Sequence, residues 1–372
     1  MLQLLQLFLI ILLLVPFLHW ARSRLADVDW HIDGGESHHT SIFTVLLPMR
    51  NEQHFVERKI LEVIEEAESS ENINLLLVDS NSTDSTSEIA FRVLENSTFA
   101  DHNWEVIKAE KPGKSHAINL AISITESDFF IMMDADAETE RGWLEIIINS
   151  FSDPEVGVIS GLERSDTTSR HRSRKGYRSA SDSIRSWESA VDSTAVLEGA
   201  LIAWRTSALR DFSLDEKTNA DDAQITFEAI RRGYRTISVP ELRFSDRNDS
   251  TIWHSRSIRR SQGLSRVILR NLDLAFSAPR KKARSSVFNA IALYIIFPWA
   301  LALLVASQIF SIVLVSNGGV LGKYVIPAMA LTLIITQSGR SAVWGSIISI
   351  IAHIQIIFGR TYGAWEPKRP IG

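Results

Sequence analysis

The segment from Phe129 to Glu138 joins an uninterrupted apolar run to two acidic residues. Five apolar residues without a helical period predict a strand that is buried on both faces. Asp134 and Asp136 follow it, and side chains two positions apart on an extended chain point to the same side. Two carboxylates at the carboxyl end of a buried strand can bind Mg²⁺ or Mn²⁺, because these cations prefer oxygen ligands. An acidic loop after a core strand would show the same pattern.

Strand and helix patterns alternate on both sides of this segment. Runs of apolar residues predict strands at 42–47, 73–78, 104–109, 129–133 and 156–160. Helices are predicted between them at 52–68, 114–124 and 143–151, with another that is capped by residues 80–86 and ends at 94. The first strand is expected to stop at Pro48, which has no amide hydrogen to donate. Such alternation predicts an α/β fold with a mostly parallel, Rossmann-like sheet and helices on both faces.

Polar residues gather where the predicted strands end. The residues after the first strand are Pro48, Arg50, Asn51 and Glu52. Asp79 follows the second strand, and Lys114 begins a helix, where its ammonium group could neutralise a phosphate. Because the carboxyl ends of parallel strands share one crevice, these side chains predict a nucleotide site whose diphosphate reaches the acidic pair. The alternative is that Asn51 and Asp79 only close turns and that Lys114 is a solvated surface lysine.

Apolar runs at both ends of the chain predict membrane segments. They are Leu2–Leu18, Val287–Val315 and Tyr324–Phe358, the last interrupted at Gln337, Gly339 and Arg340. The first run is expected to be an uncleaved anchor, since no positive segment precedes it and no small-residue cleavage site follows. In the last run, a short piece that re-enters the membrane is expected beside one full span.

Positive charges predict which side of the membrane the central domain occupies. Arg22 and Arg24 follow the first apolar run, and four basic residues precede the second: Arg280, Lys281, Lys282 and Arg284. Because such charges favour the cytoplasmic side, residues 21–285 are expected in the cytoplasm, with an even number of crossings afterwards. The expected location is therefore the cell membrane, with a multi-pass topology.

These patterns divide the chain into six parts. The expected boundaries are an N-terminal transmembrane helix at 1–20, a linker at 21–41, a cytoplasmic domain at 42–272, a basic juxtamembrane segment at 273–286, transmembrane helices at 287–359 and a tail at 360–372. The chain has no cysteine, which excludes disulfides, thiolate metal sites and a cysteine nucleophile. A net charge of -5 argues against nucleic acid as a partner.

Four segments, taken in order, resemble a known family. FTVLLPMRNEQ, LLLVDSNSTDST, KPGKSHAINLA and FFIMMDADAE are similar to the nucleotide-sugar-binding half of family 2 glycosyltransferases, and the resemblance runs from about Ile42 to Asn271. It implies a GT-A fold and a nucleotide-sugar donor. By this resemblance Asp79 would contact the nucleoside, while Asp134 and Asp136 would be the DXD site for the divalent metal and the donor's diphosphate.

The second half of the resemblance supplies candidate catalytic residues. Gly199 in LEGALIAWR matches the glycine-containing segment that precedes the catalytic acid of the family. Asp221 and Asp222 resemble its Glu-Asp motif, with Asp222 in the position of the catalytic base. An acceptor hydroxyl needs such a base, because its pKa lies far above neutrality. Attack opposite the leaving diphosphate implies inversion. The alternative is that the two aspartates only cap the helix that follows.

The segment RSIRRSQG resembles the QxxRW motif of the family imperfectly. Arg256 stands in place of the glutamine and Arg260 in place of the tryptophan, whereas Arg259 and the later Gly263 match. In processive polysaccharide synthases that tryptophan stacks on the acceptor sugar, so the departure weakens a chain-extending interpretation. Arg256 and Arg259 are expected to contact the donor, with Arg259 stabilising the charge of the leaving diphosphate.

Together these features predict a membrane-bound, metal-dependent, inverting glycosyltransferase. It would move one sugar from a nucleotide-sugar donor to a lipid or lipid-linked acceptor at the cytoplasmic face, since an enzyme with a soluble acceptor gains little from several membrane spans. A polyprenyl-phosphate sugar synthase and a processive polysaccharide synthase are alternatives within the enzyme class. A catalytically silent membrane scaffold that retains the fold is an alternative outside it, and the presence of Asp136 and Asp222 argues against that scaffold.

Overall fold

The computed structural model describes residues 1–26, 40–67, 72–164, 172–246, 253–314 and 320–360, together with residues 32, 35, 38 and 70. About half of the linker expected at 21–41 and nearly all of the tail expected at 360–372 lie outside these ranges. The N-terminal helix runs to Leu25, beyond the boundary at residue 20 that hydropathy suggested.

Within the described residues, eight strands form one mixed sheet. In chain order the strands are β1 Phe43–Met49, β2 Ile73–Asp79, β3 Trp104–Lys108, β4 Phe129–Met133, β5 Ala137–Thr139, β6 Val156–Glu163, β7 Leu201–Arg205 and β8 Arg235–Asp246. Their order across the sheet is β3-β2-β1-β4-β7-β6-β8-β5. The four adjacent strands β3, β2, β1 and β4 run parallel to one another, and β6 runs parallel to β8. Strand β7 runs antiparallel to its neighbours β4 and β6, and β5 runs antiparallel to β8. The predicted α/β class is confirmed.

The helices flank this sheet or extend from it. They are α1 Leu2–Leu25, α2 Val56–Ala67, α3 Thr86–Glu95, α4 Lys114–Ile124, α5 Trp143–Ser150, α6 Arg172–Val191, α7 Asp221–Arg231, α8 Trp253–Arg270, α9 Leu274–Ser277, α10 Lys281–Ile291, α11 Phe297–Leu314, α12 Ile326–Ile335 and α13 Gln337–Ile357. Both α4 and β4 begin and end at the residues predicted from sequence.

Both faces of the sheet are covered, which explains why its strands are apolar without alternation. On one face, Val45 and Ile131 belong to a core cluster with the apolar residues of α2 and α5. On the other face, Leu46 and Phe130 pack with apolar residues of α4 and α7. Helices on both faces thus share a core with the central strands, and the carboxyl ends of those strands carry the polar side chains.

One expectation about the strands was wrong, and the strand at Leu201–Arg205 was missed. β1 continues through Pro48 to Met49, because its pairing with β4 ends at Leu46 and the missing amide hydrogen of Pro48 costs no hydrogen bond on that side. The segment around Leu201–Arg205 was considered only as a motif, but it forms β7 and separates β4 from β6. A local apolar run indicates a strand but not which distant strands it will pair with.

Among the described residues, three helices are long and apolar enough to cross a membrane: Leu2–Leu25, Lys281–Val313 and Gln337–Ile357. A further apolar helix, Leu321–Ile335, is about 22 Å long, short of the ~30 Å hydrocarbon core of a bilayer. The last apolar stretch breaks at Thr336, whose side chain accepts a hydrogen bond from the Gly339 amide at 3.0 Å. This is the division into a short and a span-length piece that the sequence indicated.

Candidate active site

The two acidic residues after β4 lie in a turn rather than on an extended strand. The amide of Ala137 donates to the Asp134 carbonyl at 3.2 Å, and the amide of Asp134 donates to the Ala200 carbonyl at 3.0 Å. The chain then enters β5 beside β8. The expectation that Asp134 and Asp136 continue an extended strand is therefore wrong, because the chain turns here and is held by the distant Ala200 carbonyl.

Helix α2 holds the chain that leaves this turn. Glu62 accepts hydrogen bonds from the Thr139 amide at 3.0 Å and from the Lys59 ammonium at 2.6 Å. Glu66 accepts one from the Gly142 amide at 2.6 Å. Lys59 is fully buried, and this burial lowers its pKa below the usual range. Sequence reasoning missed Lys59, although its place within the apolar face of α2 was the signal that it is buried.

Lys114 connects the acidic residues after β4 to those at the start of α7. It begins α4, and its Nζ lies 2.8 Å from Asp134 Oδ1 and 3.0 Å from Asp221 Oδ2. Burial would lower the pKa of Lys114, but the two carboxylates outweigh it and raise that pKa above its usual range. Burial raises the pKa of Asp134, as does the charge of Asp136, while Lys114 opposes the rise. Acids that are far apart in the sequence therefore converge on one site.

A second connection made by α4 was missed from the sequence. The side-chain amide of Asn119 on α4 donates to the Leu214 carbonyl at 2.9 Å and accepts from the Leu214 amide at 2.8 Å. The Ser115 hydroxyl donates to the Thr218 carbonyl at 3.5 Å. These bonds fix the loop that leads into α7 against the helix that carries Lys114. Asn119 lies within a motif that matched the family, and this was the available signal.

Asp222 lies beside Asp221 at the start of α7. Its Oδ1 accepts a hydrogen bond from the Ala223 amide at 2.7 Å, and a Cβ at Gly199 would come within 3.1 Å of its Oδ2. Burial and the neighbouring charge of Asp221 raise the pKa of Asp222 to about 6. A carboxylate in this range is ionised at neutral pH and yet basic enough to take a proton from a reacting hydroxyl. The absence of a side chain at Gly199 leaves room for it.

Helix α8 brings arginines to the same site. Burial lowers the pKa of Arg259, and the charges of Arg260 and Arg256 lower it further, while Asp221 opposes them. The charge of Arg260 also acts on Asp222. Gly263 allows this approach, because a Cβ there would lie 2.5 Å from the Asn219 carbonyl oxygen. The crowding of like charges favours an anionic ligand at this place.

Hydrogen bonds join the turn that follows β1 to the turn that follows β2. Asn51 has a φ of 55° and accepts a hydrogen bond from the Thr83 amide at 2.8 Å. The Glu52 amide donates to the Thr86 hydroxyl at 2.7 Å. Asp79 is 2% exposed and accepts from the Ser82 amide at 3.0 Å and the Ser87 hydroxyl at 2.6 Å. These contacts give Asn51 and Asp79 structural roles, and the nucleoside contact of Asp79 stays a prediction.

The remaining candidates differ in their surroundings. Pro48 is buried within β1, whereas Arg50 at the end of that strand is half-buried, as is Arg256 on α8. No group of three or more histidine, cysteine, aspartate or glutamate residues that could hold a metal occurs in the described part of the chain. Asp134 and Asp136 still fit a divalent cation in their chemistry, because hard carboxylate oxygens suit Mg²⁺ and Mn²⁺ when a diphosphate and water complete the ligand set. The ammonium of Lys114 against Asp134 shows that this carboxylate accepts a cation.

Comparison with known proteins shows similarity to glycosyltransferases. Residues 44–217 match the family described as glycosyl transferase family 2. The chain is 24% identical to the poly-beta-1,6-N-acetyl-D-glucosamine synthase of Staphylococcus aureus (strain COL) over 242 residues, covering 61% of this chain and 56% of that protein. It is 21% identical to the probable glycosyltransferase YdaM of Bacillus subtilis over 267 residues, covering 68% of this chain and 62% of that protein.

One solved structure is similar over almost the whole length. It is a mannosyltransferase from Pyrobaculum calidifontis in complex with GDP-Man and Mn²⁺, which matches with a TM-score of 0.80 and 22% identity. The match covers 97% of this chain and 100% of that chain. This likeness confirms the GT-A fold and includes the apolar helices at both ends.

Proposed function

We propose that the chain, whose residues 44–217 match the family 2 glycosyltransferases, is an inverting glycosyltransferase of the cell membrane. It moves one sugar from a nucleotide-sugar donor to a hydroxyl or phosphate of a lipid or lipid-linked acceptor. The observation that carries the proposal is the convergence at Lys114, whose ammonium contacts Asp134 at 2.8 Å and Asp221 at 3.0 Å. Donor-side and acceptor-side acids thus lie within one contact of each other, with Asp222 adjacent.

In the proposed reaction Asp222 takes the proton of the acceptor. The acceptor oxygen forms a bond to the anomeric carbon as the bond from that carbon to the diphosphate oxygen breaks, and the nucleoside diphosphate leaves with the electron pair. Attack from the side opposite the leaving group inverts the configuration. Arg259 and Lys114 offset the charge that develops on the diphosphate. A divalent cation held by Asp134 and Asp136 would supply further charge for the same group.

A nucleotide-sugar donor and a divalent metal are also supported by likeness. The mannosyltransferase of the same fold was solved with GDP-Man and Mn²⁺. In this chain, Asp134 and Asp136 offer a pair of oxygen ligands for a divalent metal, and the arginines of α8 offer positive charge for a diphosphate.

The lipid acceptor is supported by how α8 meets a candidate membrane helix. Gln262 Nε2 donates to Gln355 Oε1 at 2.8 Å, and the Ser265 hydroxyl lies 3.0 Å from His353 Nε2. The helix that carries Arg259 therefore packs directly on α13, which is long and apolar enough to span a bilayer. This contact supports a site close to the membrane surface, within reach of a lipid headgroup.

The cytoplasmic orientation is supported by positive charges near the helix ends. Arg22 and Arg24 lie in the last turn of α1, and Lys281 and Lys282 are exposed at the start of α10. Arg280 belongs to the same basic segment but pairs with Asp192 at 2.7 Å, so it is not free to face lipid phosphates. Two of the three candidate spans among the described residues, Lys281–Val313 and Gln337–Ile357, follow the central domain, and this supports the even number of crossings expected there.

The proposal is tested with membranes that contain the protein and a panel of labelled nucleotide sugars. We expect one donor to label a lipid that extracts into organic solvent, with metal-dependent release of nucleoside diphosphate. Asp222→Asn should lose about 10²–10⁴-fold in rate while it still binds the donor. A labelled polymer would instead indicate a polysaccharide synthase, the activity named for the Staphylococcus aureus relative. No release from any donor in native lipids would contradict enzyme activity and favour the scaffold.

A further inference from the structure

Lys114 occupies a carboxylate that the proposed metal needs. Its ammonium lies 2.8 Å from Asp134 Oδ1, with side-chain exposures of 16% for Lys114 and 31% for Asp134. Because both groups are partly buried, solvent and salt screen their attraction only weakly. Lys59, whose charge also acts on Asp134, is instead bonded to Glu62 at 2.6 Å. The positive group in contact with Asp134 is therefore the ammonium of Lys114.

A divalent cation that takes the same oxygen competes with the ammonium for it. Mn²⁺ and Mg²⁺ bind carboxylate oxygens at about 2.1 Å, which would bring the two positive charges close together in a poorly screened site. Their repulsion favours a shift of the ammonium away from Asp134. Lys114 has a place to go, because its ammonium already contacts Asp221 Oδ2 at 3.0 Å.

We propose that Lys114 is a placeholder for the divalent cation at Asp134, and that metal arrival shifts its ammonium to Asp221 and to the diphosphate of the donor. The proposal rests on the proposed metal site. Before the metal binds, Lys114 keeps two crowded acids together without repulsion between them. After the metal binds, the same ammonium can contact Asp221 and the diphosphate leaving group. Metal binding at Asp134 is thereby linked to the position of Lys114 beside Asp221.

This linkage predicts opposite effects for the two partners of Lys114. Removing the ammonium frees Asp134, so Lys114→Met should tighten the binding of Mn²⁺. Asp221 is the second partner of the ammonium, and without its charge the ammonium stays at Asp134. Asp221→Asn should therefore weaken the binding of Mn²⁺. Coupling between two cations for one carboxylate is reciprocal, so whatever draws Lys114 to Asp221 favours the metal to the same extent.

The experiment titrates the full-length protein in detergent with Mn²⁺ alone, without donor, and follows free Mn²⁺ by electron paramagnetic resonance. We expect Lys114→Met to lower the Kd by about tenfold or more and Asp221→Asn to raise it about threefold or more. Lys111→Met is the matched control, because Lys111 is exposed and pairs with Glu216 at 2.6 Å, and it should stay within about twofold of the parent protein. Asp136→Asn should abolish binding and so identify the site.

The outcomes separate this inference from the proposed function. Equal or weaker Mn²⁺ binding by Lys114→Met overturns the placeholder while leaving the metal site intact. If Lys114→Met does not fold, Asp221→Asn decides, and unchanged or tighter binding in that variant overturns the placeholder as well. Absence of Mn²⁺ binding in the folded parent protein overturns both the placeholder and the metal site of the proposed function.

Discussion

The two sides of the site treat a buried aspartate in opposite ways. On the donor side, Asp79 is surrounded by neutral donors, namely the Ser82 amide and the Ser82 and Ser87 hydroxyls. On the acceptor side, Asp222 accepts from its neighbouring Ala223 amide and faces the like charge of Asp221. Burial is common to both, but only Asp79 has several hydrogen bonds to stabilise its charge.

Because of this difference we expect Asp79 to stabilise the fold and Asp222 to act in the proposed reaction. Hydrogen bonds to an ionised carboxylate stabilise the folded state, and those of Asp79 join β2 to the first turn of α3. A carboxylate beside a like charge destabilises the folded state and gains basicity in return. The same Asp-to-neutral substitution should therefore change stability in opposite directions on the two sides.

The largest effect is expected on the donor side. Asp79→Ala removes the acceptor for three hydrogen bonds from Ser82 and Ser87, so we expect the free energy of unfolding to fall by about 2–4 kcal/mol. Urea unfolding followed by tryptophan fluorescence measures this. Asp101→Ala, at an exposed position of the same domain, should change stability by less than about 0.5 kcal/mol. If Asp79→Ala lowers the free energy of unfolding no more than Asp101→Ala does, the contrast between the two sides is wrong.

The second-largest expected effect is an increase in stability, at Asp222. Burial and Asp221 raise the pKa of Asp222 from 3.8 in the unfolded chain to about 6. The ionisation of Asp222 therefore lowers the free energy of unfolding as the pH rises above 3.8, the pKa in the unfolded chain. This loss of stability is complete at pH values above the folded-state pKa of about 6. Asp222→Asn relieves this, and we expect it to stabilise the protein by about 2 kcal/mol at pH 7.5 and by much less at pH 4. Thermal unfolding at both pH values measures the difference, and a destabilised variant at pH 7.5 would contradict the assignment.

The sequence was sufficient for the positions of the donor-side elements, because their signals are local. A five-residue apolar run and a helical repeat gave β4 and α4 their observed bounds. Turn-forming residues after β2 indicated where α3 begins. These features depend on neighbours in the chain, and sequence patterns record such neighbours directly.

The acceptor side depends on contacts between distant residues, and for this reason its geometry could not be read from the sequence. The turn at Asp134 depends on the Ala200 carbonyl, which a strand missed in the sequence brings to it. Lys114 was expected at a phosphate, and nothing local indicated that it would join Asp134 to Asp221. The sequence identified Asp222 only by resemblance, since a pair of aspartates before a helix also suits a cap.

The smallest expected effect, and the one that separates the two sides most directly, is on the pH dependence of the rate. A base must be ionised to take a proton, and Asp222 with a pKa of about 6 becomes protonated as the pH falls through that value. With saturating donor and Mn²⁺, we expect kcat to fall about tenfold between pH 7 and pH 5. Because Asp221 raises the pKa of Asp222, Asp221→Asn should move the midpoint to lower pH. Asp101→Ala should leave it unchanged, and a kcat that is flat or rises toward pH 5 would exclude Asp222 as the base.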